Sequence, residues 1–467
     1  MRHSGPIAIL LLCLLAPASA ALSQQRFPPP EFEGPYRMPT TTTPSAQAPW
    51  AQIVDLGMLA AALAAASVLA IRTRRRGPIV ALSILSLLYF GFYRGGCVCP
   101  IGAIQNVSLA LFGGGYALPL IVVAFFLLPL LTAVFFGRTF CAAVCPLGAA
   151  QDLVVLRPLA VPSWLEQSLG LLAWVYLAAA VVFAATGSAM LICRYDPFVA
   201  IFRLIPLGKV FEAWSRGDPA LNPAALSGRL DTLLLTGAFL LIGLFIARPY
   251  CRYFCPYGVL LGLLSKVSRW RVTITPTECV QCRLCEDTCP VGAIRVPTAE
   301  APVRLRTRGK SALAAALLAA PLLLAAGAVL GGMLGKTMAR MHPTVALADR
   351  VRLENAGKVA GTTDASEAFR ETGRAAEDLY AEAGGIEAAF VSRWKPLGAG
   401  AGAAHLFGAF VGLVIALKVV GLSVRRRRTD YEADQAACVA CGRCFAHCPV
   451  EQARRKGSDV VLPQREA

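Results

Sequence analysis

Two short cysteine runs in this chain have the spacing of an iron–sulfur site. The first run is Cys279, Cys282, Cys285 and Cys289, followed by Pro290. The second run is Cys438, Cys441, Cys444 and Cys448, followed by Pro449. Soft thiolates hold a 4Fe-4S cube, and the Cys-x2-Cys-x2-Cys-x3-Cys-Pro spacing lets three of them reach one cluster from a single tight loop. The pattern therefore predicts cluster ligation, with zinc or structural thiols as the alternatives.

Two such runs are typical of a ferredoxin with two clusters, in which the fourth cysteine of each run binds the other cluster. We therefore expect two 4Fe-4S clusters with exchanged ligands. One set of ligands is Cys279, Cys282, Cys285 and Cys448, and the other is Cys438, Cys441, Cys444 and Cys289. This arrangement requires the two runs to meet in space, although about 150 residues separate them.

A weaker cysteine pattern occurs twice before the first run ends. Both copies read Arg-x-aromatic-Cys-x3-Cys-Pro-x-Gly, and they begin at Arg138 and at Arg248. The match indicates an internal duplication of a helix and a turn. If the two turns face each other, four thiolates are available for a further iron–sulfur or other redox centre, from Cys141, Cys145, Cys251 and Cys255. The alternative is structural, with proline and glycine ending each helix and the cysteines packed as small apolar side chains.

A shorter relative of this pattern contains Cys97 and Cys99, and Cys193 ends a later apolar segment. The count of membrane spans given below puts these three cysteines on the outer side of the membrane. The alternatives there are a redox centre with an unidentified fourth ligand and a disulfide.

The composition indicates a membrane protein. Of 467 residues, 56% are hydrophobic and only 16% are charged, whereas soluble domains carry about 25% charged residues. The net charge of +17 comes largely from arginine runs beside apolar segments, such as 72–76 and 425–428, which is the positive-inside pattern. We therefore do not expect nucleic-acid binding. The absence of Cys-x-x-Cys-His argues against covalent haem.

Apolar segments near the length of a bilayer recur along the chain. Residues 1–20 have a basic start, an apolar core and a small-residue end, which predicts a signal peptide. Seven segments of roughly 20 residues follow. They are residues 52–71, 78–94, 117–136, 170–193, 231–248, 311–334 and 403–422. With the mature N-terminus outside, this count puts both cysteine runs in the cytoplasm.

The predicted fold is an all-α polytopic membrane protein with a small α+β ferredoxin-like module that carries two 4Fe-4S clusters on the cytoplasmic side. The predicted domains are a signal peptide (1–20), a flexible outer segment (21–51), a membrane domain with the first Cys-x3-Cys-Pro turn (52–248), a segment with the second turn and the first run (249–310), a transmembrane hairpin (311–422) with an outer helical loop (335–402), and the second run (423–467).

These motifs resemble the NosR/NapH polyferredoxin family of bacterial membrane electron-transfer proteins. The resemblance covers residues 88–295 and is carried by the two Cys-x3-Cys-Pro turns and the first run. It implies a quinol-linked or flavin-linked conduit that serves a reductase outside the cytoplasm. In contrast to NosR, only residues 21–50 precede the first span and no flavin attachment motif is present, so a flavin would belong to a partner. In contrast to NapH-like members, a helical hairpin divides the two runs.

The leading functional hypothesis is an iron–sulfur electron carrier of the bacterial inner membrane, acting alone or as a quinol dehydrogenase subunit. Electrons would pass between a quinone pool or cytoplasmic donor and a redox partner protein on the outer face, which is a reductase or flavoprotein. No nucleophile and base pattern indicates a hydrolytic enzyme. The alternatives are a metalloenzyme maturation factor, similar to the CcoG branch of this superfamily, and a redox sensor.

Overall fold

The computed structural model describes residues 48–96, 99–112, 118–156, 158–159, 161–185, 196–199, 201–202, 230–275, 279–298, 303–340, 402–424 and 428–457. The signal peptide predicted at 1–20 lies outside these residues. So do Cys97, Cys193, nearly all of the flexible segment predicted at 21–51, and the predicted outer loop beyond residue 340.

The described part of the chain is mostly helical, and five of its helices are long and apolar enough to cross a membrane. They are Pro49–Thr73, Arg76–Tyr93, Ser163–Ala185, Gly309–Gly335 and Ala403–Ser423. Each overlaps one of the seven predicted spans. The other two predicted spans correspond to the shorter apolar helices Leu120–Phe136 and Leu234–Phe245. The chain is therefore a helical membrane protein, and the count of seven spans stays a prediction.

The remaining helices are short and lie between the apolar segments or after the last of them. Proline stands at or near the start of many of them, where its fixed φ fits the first helical turn and its missing N–H costs nothing. Their bounds are Pro100–Phe112, Thr139–Ala143, Pro146–Val154, Pro197–Val199, Pro249–Tyr253, Pro256–Ser265, Leu284–Thr288, Arg443–His447 and Pro449–Lys456.

A buried ion pair joins the first two spans. The Asp55 carboxylate lies inside the helical packing, accepts a hydrogen bond from the Tyr89 hydroxyl at 2.8 Å and pairs with Arg94. A charge at this depth is costly unless it is paired. The pair therefore fixes how these two helices sit against each other.

The helical hairpin consists of Val303–Arg340 and Gly402–Ser423. Glycines let the two backbones approach closely, because a Cβ on Gly327 or Gly331 would collide with backbone atoms of the other helix. The predicted domain boundary at 310/311 falls inside the first of these helices. Residues 335–340, predicted as the start of the outer loop, continue that helix.

A small α+β unit contains both cysteine runs, and we call it the ferredoxin module (279–298 and 428–457). The strand Ile294–Arg295 follows the first run and pairs antiparallel with Glu432–Ala433, which precedes the second run. The helices Leu284–Thr288 and Arg443–His447 also pack against each other. The two runs therefore meet in space despite the hairpin between them in sequence.

The ferredoxin module is clamped to the membrane-spanning part by Arg74, at the end of the first span. Arg74 donates to the Thr273 hydroxyl at 2.8 Å and to the Ile274 carbonyl at 2.7 Å. Its Nε also pairs at 3.1 Å with Glu451 of the last helix, whose side chain is fully buried. One side chain thus joins a span, the segment before the first run and the helix after the second run.

Candidate iron–sulfur centres

The two runs share the same backbone path. The residue two places after the first cysteine has a positive φ in each run, at Gln281 (52°) and Ala440 (53°). The residue after the second cysteine also has one, at Arg283 (63°) and Gly442 (79°). Left-handed residues turn the chain sharply and gather its N–H groups on the concave side. Each run therefore forms a tight loop that can surround an anionic group.

Each run ends in an extended cysteine before its proline. The φ and ψ angles are −75° and 106° at Cys289, and −74° and 118° at Cys448. Proline disfavours a helical conformation in the residue before it. The fourth cysteine of each run is therefore directed away from the short helix that carries the third.

The structure brings Cys289 of the first run to the second run. Burial raises the pKa of the Cys438 thiol to about 12, and the charges of Cys441 and Cys289 add to this rise. Burial also raises the pKa of Cys444 well above its ordinary value, with contributions from Cys438, Cys441 and Cys289. These four thiols lie close enough to interact electrostatically. They are the set expected for the second cluster.

The first three cysteines of the first run form a separate group. Burial raises the pKa of the Cys285 thiol to about 12, with further contributions from Cys279 and Cys282. Cys448, expected to complete this group, is buried at the start of the last helix.

The two Cys-x3-Cys-Pro turns also face each other, and we call their cysteines the membrane thiol set: Cys141, Cys145, Cys251 and Cys255. Burial raises the pKa of Cys145 and Cys255 above their ordinary value, and each rise includes contributions from thiols of the other turn. Burial likewise raises the pKa of Cys251 to about 11, with a contribution from Cys141. Both turns therefore supply thiols to one site.

The two turns have the same local geometry. Cys145 (φ −70°, ψ 115°) and Cys255 (φ −66°, ψ 109°) each precede the first residue of a helix. The Cys255 Sγ accepts a hydrogen bond from the Gly258 N–H at 3.3 Å. Cys99 in the shorter copy accepts one from Gly102 at the same distance, but the other cysteines of the predicted outer group, Cys97 and Cys193, are outside the described residues. That outer site stays a prediction.

The arginine of each turn lies against the glycine of the other turn. The Arg248 guanidinium donates to the Cys141 carbonyl, and its Nη1 would lie 3.6 Å from a Cβ on Gly148. Arg138 lies in the matching place, because its Nη2 would be 3.1 Å from a Cβ on Gly258. The glycine of Cys-Pro-x-Gly therefore makes room for an arginine from the other copy.

The two buried arginines differ in their charge partners. Arg248 pairs with the Asp152 carboxylate, with an Nε to Oδ1 distance of 2.8 Å. Arg138 donates to the Ala436 carbonyl at 2.8 Å, and its Nη2 lies 3.9 Å from the Cys141 Sγ. No carboxylate pairs with Arg138 among the described residues, and its buried Nε has no hydrogen-bond partner there. A buried cation of this kind favours an anionic centre on the thiols beside it.

The donors of both runs and of the membrane thiol set are soft thiols, the ligand type that iron–sulfur clusters use. Within the described ranges, no three His, Cys, Asp or Glu side chains converge closely enough to hold one metal ion. Zinc draws its thiolates to about 2.3 Å from one centre, whereas a cube binds them at separate iron atoms.

Several polar neighbours of the membrane thiol set were not singled out by the sequence. The Gln151 amide donates to the Cys251 Sγ at 3.3 Å and accepts from the Tyr250 N–H at 3.1 Å. The Tyr250 hydroxyl in turn donates to Asp196, which is fully buried. The repeat frame contained Arg138, Arg248 and both glycines, but it gave no sign of which groups they contact.

Comparison with known protein families identifies 4Fe-4S binding domains in three places. One 4Fe-4S binding domain matches residues 118–163 and again 229–275, which include the two Cys-x3-Cys-Pro turns. A second kind matches residues 272–295, which include the first run. No solved structure matches the chain.

Curated proteins resemble parts of the chain. It is 37% identical over 59 residues to the putative electron transport protein YccM of Escherichia coli, covering 13% of this chain and 16% of YccM. It is 32% identical over 149 residues to Protein NirI of Paracoccus denitrificans, covering 31% of this chain and 19% of NirI. An uncharacterized protein of Methanocaldococcus jannaschii is 37% identical over 71 residues, covering 15% of this chain and 29% of that protein.

The matched segments thus span less than a third of each of these relatives. The matches nevertheless agree with the cysteine geometry. The 4Fe-4S binding domains, together with the similarity to NirI and YccM, fit a membrane polyferredoxin of the NosR/NapH type.

Proposed function

We propose that this protein carries single electrons through iron–sulfur clusters bound at the surface of the bacterial inner membrane. Two 4Fe-4S clusters would be held by the ferredoxin module with exchanged ligands. Cys279, Cys282, Cys285 and Cys448 would hold one, and Cys438, Cys441, Cys444 and Cys289 the other. A bound 4Fe-4S cluster accepts and releases one electron at a potential that the surrounding protein sets.

The observation that carries this proposal is the meeting of the two runs. Cys289 lies with Cys438, Cys441 and Cys444, and the strand pairing Ile294 with Ala433 holds the two halves in register. Each run forms a tight loop with left-handed residues, and its thiols are buried or half-buried. This is the arrangement expected of a two-cluster ferredoxin assembled from distant parts of one chain.

The membrane thiol set is a candidate for a further centre in the same path. It consists of two buried cysteines, Cys141 and Cys145, and two half-buried ones, Cys251 and Cys255, beside two buried arginines. A matched 4Fe-4S binding domain covers both of its turns. A cleft of about 2300 Å³ reaches Cys251 and Cys255 of this set and Cys279 and Cys289 of the ferredoxin module. Thiols of both sites therefore open onto one cleft.

The donor would be a quinone pool or a cytoplasmic protein, and the acceptor a reductase or flavoprotein on the outer face. Helices that span the membrane and a thiol set at the end of the spans support a path along the membrane normal. Any flavin would come from the partner. The similarity to YccM, a putative electron transport protein, agrees with this assignment.

The exchange of ligands can be tested with three single substitutions. We expect about eight irons per wild-type chain from the module alone, with coupled 4Fe-4S signals in electron paramagnetic resonance after reduction. Cys289→Ser and Cys438→Ser should alter the same signal, and Cys279→Ser the other one. If Cys289→Ser instead matches Cys279→Ser, each run holds its own cluster. Chains without iron would contradict the electron-carrier function.

Deletion of the gene separates this function from a role in maturation. If the protein is an electron carrier, the partner enzyme in the deletion strain should contain its metal but should no longer be reduced. A metal-deficient partner enzyme in the deletion strain would instead support a maturation factor.

A further inference from the structure

The two Cys-x3-Cys-Pro turns differ at one informative position. Asp152 follows the first turn and neutralises Arg248, the arginine of the second turn. The matching residue after the second turn is Gly262. There the Ala436 carbonyl of the ferredoxin module would lie 3.0 Å from a Cβ on Gly262. The module therefore docks where the duplicated sequence lacks the second carboxylate.

Arg138 is the residue left without a charge partner by this difference. Its Nη1 donates to the same Ala436 carbonyl at 2.8 Å, two residues before Cys438. Its Nη2 faces the Cys141 Sγ at 3.9 Å, and its charge also acts on Cys255 and Cys251. One buried guanidinium therefore touches the membrane thiol set on one side and the loop of a ferredoxin cluster on the other.

The charge of Arg138 constrains what the membrane thiol set can be. A guanidinium stays charged in proteins, and a buried charge without a charge partner is costly. Four neutral thiols, or two disulfides, would leave Arg138 unneutralised among the described residues. Four thiolates around iron carry a net negative charge and would neutralise it.

We propose that Arg138 is the positioning residue that couples the membrane thiol set to the cluster loop of the second run, and that its charge stabilises the reduced, more negative form of the centre on these thiols. This inference rests on the proposed iron–sulfur function. One electron is added to the centre when it is reduced, and no bond to Arg138 forms or breaks. The hydrogen bond to Ala436 holds the two sites at a fixed separation.

The test is a redox titration of the purified, cluster-loaded protein, followed by electron paramagnetic resonance, with sodium dithionite as the reductant. Arg138→Met should lower the equilibrium constant for reduction of the membrane centre at least tenfold. For one electron this corresponds to a midpoint potential that is lower by about 59 mV. Arg138→Lys keeps the charge and should shift it less. Arg252→Lys is the matched control, because Arg252 lies in the second turn but pairs with Glu166.

A second readout is independent of the potential. Loss of the bond to Ala436 in Arg138→Met should speed hydrogen exchange at residues 434–438 relative to wild type and Arg252→Lys. If Arg138→Met loses the membrane centre, retention of that iron in Arg138→Lys supports the requirement for charge, and equal loss in both variants contradicts it.

Three results would overturn the inference. They are an unchanged potential in an iron-replete Arg138→Met, an equal shift in Arg252→Lys, and a wild-type chain with about eight irons and no centre on the membrane thiols. The last result leaves the two-cluster function standing, whereas a wild-type chain without iron removes both.

Discussion

At the scale of single residues, the membrane thiol set depends on glycines as much as on cysteines. Gly148 and Gly258 each leave space beside a cysteine for an arginine of the other turn. A methyl group at Gly258 would lie 3.1 Å from the Arg138 Nη2 and 3.4 Å from the Cys251 carbonyl. Either the guanidinium or the turn would have to move.

We therefore expect Gly258→Ala to disturb the membrane thiol set selectively. Overpacking of this kind costs about 1–3 kcal/mol, and the displaced Arg138 should reduce iron bound beyond the two ferredoxin clusters. The measurement is iron and acid-labile sulfide per chain. Gly237→Ala is the matched control, since a Cβ there meets nothing within 4 Å. Equal iron in both variants would show that the space beside Gly258 is not needed.

The cysteines were predictable from sequence because their chemistry is local. Spacing within a run already determines which thiols share a loop. The two runs meet in space, and the exchange of ligands between them stays a prediction. The partners of Arg138, Arg248 and Gly258 were not predictable, because each lies in the other copy of the repeat or in the ferredoxin module. Asp152 and Gly262 look like ordinary variation until the two copies are superposed.

At the scale of elements, the attachment of the last helix to the first span rests on a buried carboxylate. Burial opposes ionisation of Glu451, but hydrogen bonds from Arg454 and Arg455 and the charge of Arg74 outweigh it, so the pKa of Glu451 is lowered. A lowered pKa means that the ionised form stabilises the folded arrangement. This contribution is complete above the unfolded pKa of about 4.3 and is lost only as the pH falls through the lower folded pKa.

Glu451→Gln should therefore weaken the Arg74–Glu451 contact between the first span and the last helix at neutral pH. The wild type should keep this contact between about pH 7 and 5. Removing one partner of a buried pair costs on the order of 3 kcal/mol. The measurement is hydrogen exchange in the helix Pro449–Lys456. The control is Glu432→Gln, because the Glu432 side chain is 61% exposed and its pair with Arg428 is a weak surface contact. Equal protection in both variants would contradict the clamp.

Hydropathy predicted the positions of the apolar helices but not all of their ends. The helix Val303–Arg340 begins eight residues before the predicted span at 311. Hydropathy missed these first turns because they contain Arg304, Arg306 and Arg308. The helix Pro100–Phe112 was not predicted. Gln105, Asn106 and Ser108 interrupt its apolar residues, and it is too short to cross a membrane.

At the scale of the whole molecule, the proposed path requires a defined orientation in the membrane. We expect the start of the first span to face outward and both cysteine runs to face the cytoplasm, as the arginine runs predict. Trp50 is 70% exposed at the start of that span, and Asp430 is exposed just before the second run. These two positions report the two sides.

Impermeant thiol labelling of intact cells measures this orientation. Trp50→Cys should be labelled more strongly than the wild-type protein in intact cells. Asp430→Cys should be labelled more strongly than the wild type only after the cells are permeabilised. The opposite pattern would invert the orientation and move the ferredoxin module to the outer face. Added label at both positions in intact cells would contradict an odd number of spans between them.

Membership of the membrane class and the presence of the ferredoxin module followed from composition and motif. The contact between the two turns and the ferredoxin module did not, because it depends on how separate parts of the chain pack. The seven-span count rests on two helices of 17 and 16 residues, Leu120–Phe136 and Leu230–Phe245. Their length alone leaves the crossing a prediction.

The division of the ferredoxin module by the hairpin also orders its biogenesis. Ribosomes synthesise the first run well before the second run, whose preceding strand must then pair with the strand that follows the first. Until then Cys289 has no companions from the second run, and Cys279, Cys282 and Cys285 lack Cys448. A nascent chain halted within the hairpin contains no complete ligand set of the exchanged kind. With the proposed exchange of ligands, neither cluster could be completed before the second run has been synthesised and has reached the first.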